Sequence, residues 1–358
     1  PWMGEGEGGG AVAAKSRRGR KHHNRFAACF LALLALCTAA EAQAQTPLTI
    51  DASPLRLNPD DKAQQTVGGL RWRGGLVLSA EDRRFGGLSD LVLSADGQSL
   101  TAISDAGRWL TARLTYDKAG NLAGIAEARW GPLRETTGLL LSGKSSQDAE
   151  ALTRLADGSL VVAFEHRHRL RRFPPPGPGP APGSGPAGVP LAIAPPPGLA
   201  GAGSNAGLEA LVALAGDRLL GFTEGQKLGG LKGNDSYAVY LRDTAGKWQA
   251  LALKPKGLFY PTGAAQLPSG DVILLERRFT LLGGLSARLR RIPLAAIQPG
   301  ALLTGIEIAE LRAPLTLDNF EGVAVHQPGD GTTRITLISD DNFNALQRSL
   351  LVQFELTE

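Results

Sequence analysis

Carboxylates recur in this chain at a spacing that could do chemistry. Asp90 is followed by Asp105, Glu150 by Glu165, Glu209 by Glu224, and Glu321 by Asp340 and Asp341. In a further stretch Thr262 takes the place of the first acid and Glu276 supplies the second. A Gly-containing turn lies between the two positions every time: "SDLVLSADGQSLTAISD", "AEALTRLADGSLVVAFE", "LEALVALAGDRLLGFTE", "PTGAAQLPSGDVILLE" and "FEGVAVHQPGDGTTRITLISDDNF". An apolar alternating run, a turn and a second apolar run spell a β-hairpin. The two acids of each stretch then meet at the hairpin's open end, where carboxylates can hold a cation or exchange protons as general acid and base.

Two ionised carboxylates about 6 Å apart repel by roughly 3 kcal/mol at an effective dielectric near 20. A convergent set must therefore protonate or gather cations. Asp90, Asp105, Glu165, Glu224, Glu276, Asp340 and Asp341 are the expected metal ligands, and "SDDNFN" is the densest run of oxygen donors. The oxygen-rich set favours a hard ion such as Ca²⁺ over zinc. Glu150, Glu209, Glu321, Arg277 and His166 are the expected catalytic groups, with Arg277 facing anionic oxygens and His166 placed as a base. Arg83, Arg84, Arg278 and Lys227 are further cations near the hairpin ends. The plainer alternatives are that the acids cap strand ends and bind turn amides, and that His166 is a solvated member of the basic strand "HRHRLRRF". A serine route is disfavoured, because no G-x-S-x-G nucleophile elbow occurs.

The elements that must position these residues form a repeat. Asp90, Glu150, Glu209, Thr262 and Glu321 follow one another at intervals of 53 to 60 residues. That period, with several strands per unit, predicts an all-β chain folded as a β-propeller. Five blades are detectable, and a sixth would need a divergent unit in the long spacers. "SYAVYLRD" and "WQALALKP" complete the third blade, and "ARLRRIPL" and "GIEIAELRAP" the fourth. The last blade takes "SLLVQFEL" as its third strand and "GGLVLSA", from before the first module, as its fourth. This pairing of N- and C-terminal strands closes the ring and removes exposed sheet edges. Equivalent hairpin ends then converge on one face around the central channel.

Residues 1–44 read as a leader: a basic stretch, the apolar run "FAACFLALLALCTAA", and small residues at Ala40, Ala42 and Ala44. That order predicts a secretory signal peptide, since the run is short of the roughly 18 residues wanted for a membrane anchor. The leader holds both cysteines, six of the 38 basic residues and three of the 34 acids. The remainder is close to neutral, which gives no nucleic-acid footprint. The expected domain plan is an N-terminal extension at 45–69 and the propeller at 70–358. Residues 174–205, rich in Pro and Gly, are expected to be a disordered surface insertion, with only "VPLAIA" able to act as an edge strand.

The segments "FGGLSDL", "DAEAL", "GLEAL", "YPTGAAQLPSGDVILLERRF" and "NFEGVAV…LISDDNF…Q…LLVQFEL" resemble the phytase-like domain of proteins described as having esterase-like activity of phytase. The resemblance spans roughly residues 70–356. It implies an exported bacterial β-propeller and hydrolysis of phosphoesters or carboxylic esters, and it carries over no residue-by-residue catalytic set. The consecutive Asp-Asp-Pro-Ala signature of the alkaline β-propeller phytases is absent; "NPDDKA" is a superficial echo.

The expectation is thus a periplasmic or secreted hydrolase acting on a small-molecule ester or phosphoester, with Ca²⁺ in an acidic mouth. It is expected to be a monomer, with no nucleic-acid partner and no membrane attachment once the leader is removed. The alternative is a non-catalytic propeller that binds a ligand or a metal.

Overall fold

Every one of the five quoted stretches forms an antiparallel hairpin. The inner and second strands are Leu88–Leu93 with Ser99–Ser104, Ala149–Arg154 with Leu160–Phe164, Leu208–Leu214 with Arg218–Lys227, Tyr260–Gln266 with Val272–Thr280, and Phe320–His326 with Thr333–Ser339. The structure is a computed structural model and describes residues 45–175, 185–227 and 235–357. The expected leader lies outside the described residues. Among them, no helix is long and apolar enough to cross a membrane.

The hairpins extend outward into five separate sheets of four to six strands. Their inner strands pack against one another in sequence and the last returns to the first. This makes a ring of five blades. The core follows the same symmetry. One apolar cluster lies between blades 1 and 2, around Trp109 and Phe164, and one between blades 2 and 3, around Leu170 and Leu211. Others lie between blades 3 and 4, around Phe222 and Leu274, and between blades 4 and 5, around Leu289 and Phe320. The last lies between blades 5 and 1, around Leu88 and Ile338. Both faces of each sheet are thus covered by a neighbour, which is why the middle strands read as nearly continuous apolar runs such as the fully buried "LVVAF" of Leu160–Phe164.

Closure joins the two ends of the propeller. Leu70–Ser79 pairs antiparallel with Ser349–Leu356 and completes blade 5. The segment before it is more than an extension. Asp51–Pro54 adds a further strand to blade 5, and Thr46–Pro47 pairs with the outer strand of blade 1.

The Pro/Gly-rich segment also departs from expectation over 185–205. Leu191–Ile193 forms the expected edge strand of blade 2, and the 3-10 turn Pro197–Gly201 buries Leu199 between blades 2 and 3. Trp248 Nε1 donates to the Ala194 carbonyl at 2.7 Å, and a ring nitrogen of His168 lies 2.9 Å from the Gly203 carbonyl. A few apolar residues in a Pro/Gly background suffice to anchor this length of chain. Residues 176–184 lie outside the described set.

Candidate functional site

The register of the inner hairpins explains which side chains reach the axis. Every inner pair slips by one residue near the start of its inner strand. The extra residue is Glu150 in blade 2, Glu209 in blade 3, Thr262 in blade 4 and Glu321 in blade 5. A β-bulge of this kind re-aims the extra side chain out of the ladder. In blade 1 the extra residue is Ser89, so Asp90 lies one position further along. Likewise Leu88, Ala149, Leu208, Pro261 and Phe320 pair with Ser104, Phe164, Thr223, Glu276 and Ser339. The residues that follow these partners are Asp105, Glu165, Glu224, Arg277 and Asp340. Five blades thus present Ser, Glu, Glu, Thr and Glu at one level, and Asp, Glu, Glu, Arg and Asp at the next.

Seven of those acids meet. A cavity of about 300 Å³ is lined by Asp105, Glu150, Glu165, Glu209, Glu224, Glu321 and Asp340. Asp148, Lys144, His166, Asn205 and Asn342 complete its wall. Arg277 approaches from blade 4, with Nη2 at 3.7 Å from both Glu224 and Glu321, and it donates to Asn319. Asn319 in turn donates to Glu321 at 2.7 Å. Lys144, on the one-turn helix Lys144–Gln147, lies 2.9 Å from Asp105 and also pairs with Asp148.

Eight carboxylates against two fixed cations leave the cavity with excess negative charge when ionised. The acidities of six of them record it. Burial and the neighbouring Asp340 push Glu321 up to about 8, against the opposing pull of Arg277. Asp340 is pushed up to about 7, by burial first and then by Asp105 and Asp341. Burial also raises Asp105 and Glu224. Glu150 and Glu209 are displaced well upward by burial and by their acidic neighbours, and Glu209 shares a hydrogen bond with Glu165. Lys144 is driven the other way from the lowering that burial alone would cause, because Asp148 and Asp105 hold its ammonium.

One group has the compactness of a cation site. A donor atom from each of Asp148, Glu165 and His166 lies within 4.8 Å of the other two. His166 sits at φ 52°, in the left-handed region, and its amide donates to the Ser204 carbonyl at 3.0 Å. That conformation costs on the order of 1–3 kcal/mol for a non-glycine residue. It holds the imidazole Nε2 at 3.6 Å from Asp148. The nearby Asp105 Oδ1 is buried and accepts no hydrogen bond. Two carboxylates and one imidazole suit a divalent cation.

Three of the expected metal ligands are placed elsewhere. Asp90 is fully buried, and its two oxygens accept from the backbone amides of Leu91 and Leu152 at 2.8 and 2.7 Å. Glu276 is buried within blade 4 against Arg288 at 2.7 Å and Arg290 at 2.5 Å. Asp341 accepts from the Gly87 and Phe343 amides, each at 3.0 Å, and from Ser349 Oγ at 2.9 Å, tying blade 5 to blade 1. A one-residue offset turns a strand side chain to the opposite face, and matching acid to acid concealed that offset in blades 1 and 4. Of the other expected cations, Arg84 pairs with Asp82, and Arg278 with Glu310. Lys144 and Asp148 were missed, although the "DAEAL" segment carries Asp148 two residues before Glu150, and Lys144 precedes Asp148 by one helical turn.

Fold and site together define a five-bladed β-propeller with an acidic cavity where one set of strand ends converges on the axis. The family model for phytase-like proteins, "Esterase-like activity of phytase", matches residues 83–343, and the chain belongs to that family. No curated protein matches the sequence. Among solved structures, the chain is similar to a protein provisionally named a gluconolactonase, at 12% identity and a TM-score of 0.42, covering 87% of this chain and 96% of that one. It is also similar to a glucose dehydrogenase, at 12% identity and a TM-score of 0.41 over 75% and 96% of the two chains. A streptogramin B lyase matches at 9% identity and a TM-score of 0.36 over 86% and 98%.

Proposed function

We propose that the acidic cavity is the active site of a cation-assisted hydrolase acting on a phosphoester or a related ester of a small molecule. The observation that carries this reading is the meeting of eight carboxylates with, among the described residues, Lys144 and Arg277 paired against them. Asp148, Glu165 and His166 would hold the cation. The oxygen-rich surroundings favour Ca²⁺, and the imidazole is the one donor that would favour Mn²⁺ or Zn²⁺. A bound divalent cation supplies charge neutralisation for an anionic substrate and makes a coordinated water more acidic.

The chain's own groups divide the remaining work. Burial and acidic neighbours raise Glu209 and Glu150 well above an ordinary carboxyl, which favours the protonated form, and a protonated carboxyl can give its proton to a leaving alkoxide. Glu321, poised at about 8, takes or returns a proton within the working range. Arg277 presents a guanidinium between Glu224 and Glu321, where it can hold a substrate oxygen. The apolar run at residues 26–40, read as part of an export signal, supports a periplasmic or secreted site of action, and the reading takes the mature chain as a monomer.

The test is release of inorganic phosphate from phytate and p-nitrophenyl phosphate, and of p-nitrophenol from a carboxylic ester, by the mature protein. Hydrolysis of at least one substrate, abolished by EDTA and restored by Ca²⁺ or Mn²⁺, is the expected result. A second reading, a cation- or ligand-binding propeller without turnover, is favoured by the absence of any Ser, Thr or Cys side chain among the described residues lining the cavity. Cation binding with no hydrolysis of any of these substrates would decide for it.

A further inference from the structure

A second cleft, of opposite charge, lies on the flank of blade 2. Arg169 and Arg171 alternate along the strand Arg169–Phe173, which lies between Leu160–Phe164 and the edge strand Leu191–Ile193, so they share one face, and Arg167 precedes them in the turn. With Glu135, Leu139 and Leu140 they line a cleft of about 450 Å³ that has no residue in common with the acidic cavity.

The arginines are too many and too dry for Glu135, the one carboxylate among the described residues that line the cleft. The side chains of Arg169 and Arg171 are 11% and 15% exposed, and each meets Glu135 only at 3.4 Å. A charge-assisted bond to a carboxylate settles at about 2.7–2.9 Å. Arg169 also donates to the Ser146 carbonyl and lies 4.1 Å over the Phe164 ring, which fixes its guanidinium in place. The Nε atoms of both Arg169 and Arg171 are buried without a hydrogen-bond partner. Buried donors are ordinarily satisfied, and an exception calls for a ligand or another explanation. The opposite wall is apolar and open: Leu139 is 70% exposed and Leu140 54%. A half-neutralised arginine cluster beside uncovered leucines matches a molecule that carries both an oxyanion and a hydrocarbon part.

We propose that this cleft binds a small amphiphilic anion, its carboxylate or phosphate head on Arg167, Arg169 and Arg171 and its apolar portion along Leu139 and Leu140. The inference does not depend on the acidic cavity holding a cation or being catalytic.

Titration calorimetry of the mature protein, in EDTA so that no metal can recruit the ligand to the acidic cavity, tests it with octanoate and octyl phosphate. Octyl glucoside, inorganic phosphate and vesicles of phosphatidylglycerol serve as comparison arms. Saturable one-to-one binding of octanoate or octyl phosphate is expected, at least tenfold tighter than octyl glucoside or inorganic phosphate. Arg171→Gln or Arg167→Gln should weaken it tenfold or more. Leu139→Ser should weaken the alkyl ligands while leaving inorganic phosphate unchanged. Arg167 makes no ion pair among the described residues, so its variant reads the site even where Arg171→Gln fails to fold. The proposal is overturned by absence of binding, by equal binding of octyl glucoside, by binding indifferent to the arginine substitutions, or by binding to vesicles alone.

Discussion

Lys144 is the side chain on which the electrostatics of the mouth turns. Its ammonium stands between Asp105 and Asp148, beside the Asp148–Glu165–His166 group, and acts as an internal counter-ion. Removing it leaves the same oxygens with more uncompensated charge. Lys144→Gln should therefore bind Ca²⁺ about tenfold more tightly, or roughly 1.4 kcal/mol; calorimetry showing weaker binding would count against this role. The acids also set a pH dependence. In the chelated protein Glu321 titrates at about 8 and Asp340 at about 7, against ordinary values of 4.5 and 3.8. Between those limits the folded chain binds more protons than the unfolded one, so stability falls as pH rises. Melting temperature in EDTA should drop from pH 5 to pH 8, and a saturating divalent cation should flatten the slope. A rise over that interval would mean that the acids are stabilised as anions by groups of the chain itself.

The hairpin and its bulge decide what each acid does. Acid pairs at the ends of "DG"-type hairpins were legible because turn chemistry and apolar alternation survive in a single sequence. The bulge was not, because it is a backbone event with no residue signature of its own in these strands. Hence Glu150, Glu209 and Glu321 reach the cavity, while Asp90 and Glu276, one position off the repeat, are structural. Two substitutions separate the classes. Asp90→Ala strips the acceptor from the Leu91 and Leu152 amides and should cost about 1–3 kcal/mol with cation affinity unchanged. Glu276→Ala leaves Arg288 and Arg290 buried without their partner. It should cost about 3–5 kcal/mol, read by urea unfolding. A normal melt for Glu276→Ala, or loss of cation binding in Asp90→Ala, would reverse the assignment.

At the scale of the molecule, the ring explains why residues spread over more than two hundred positions share one cavity. Five blades and closure through Leu70–Ser79 followed from the repeat and from the unpaired last module. The added strands Thr46–Pro47 and Asp51–Pro54 were hidden, since two- and four-residue edge strands carry little apolar pattern. The docking of 185–205 was hidden by composition, because Leu199 and the Ala194 carbonyl act singly against a Pro/Gly background. Blades 1, 2, 3 and 5 line the mouth and blade 4 reaches its acids through Arg277, so a closed ring brings Asp105 of blade 1 to Asp340 of blade 5 in one wall.

The most direct measurement is calorimetric titration of Ca²⁺ and Mn²⁺ into EDTA-treated, dialysed mature protein, with melting temperature followed in parallel. Saturable binding of at least one ion, a rise in melting temperature, and loss of both in Glu165→Gln are the predicted results. Absence of binding up to millimolar concentrations of either ion, with an unchanged melt, would contradict a cation site among these carboxylates.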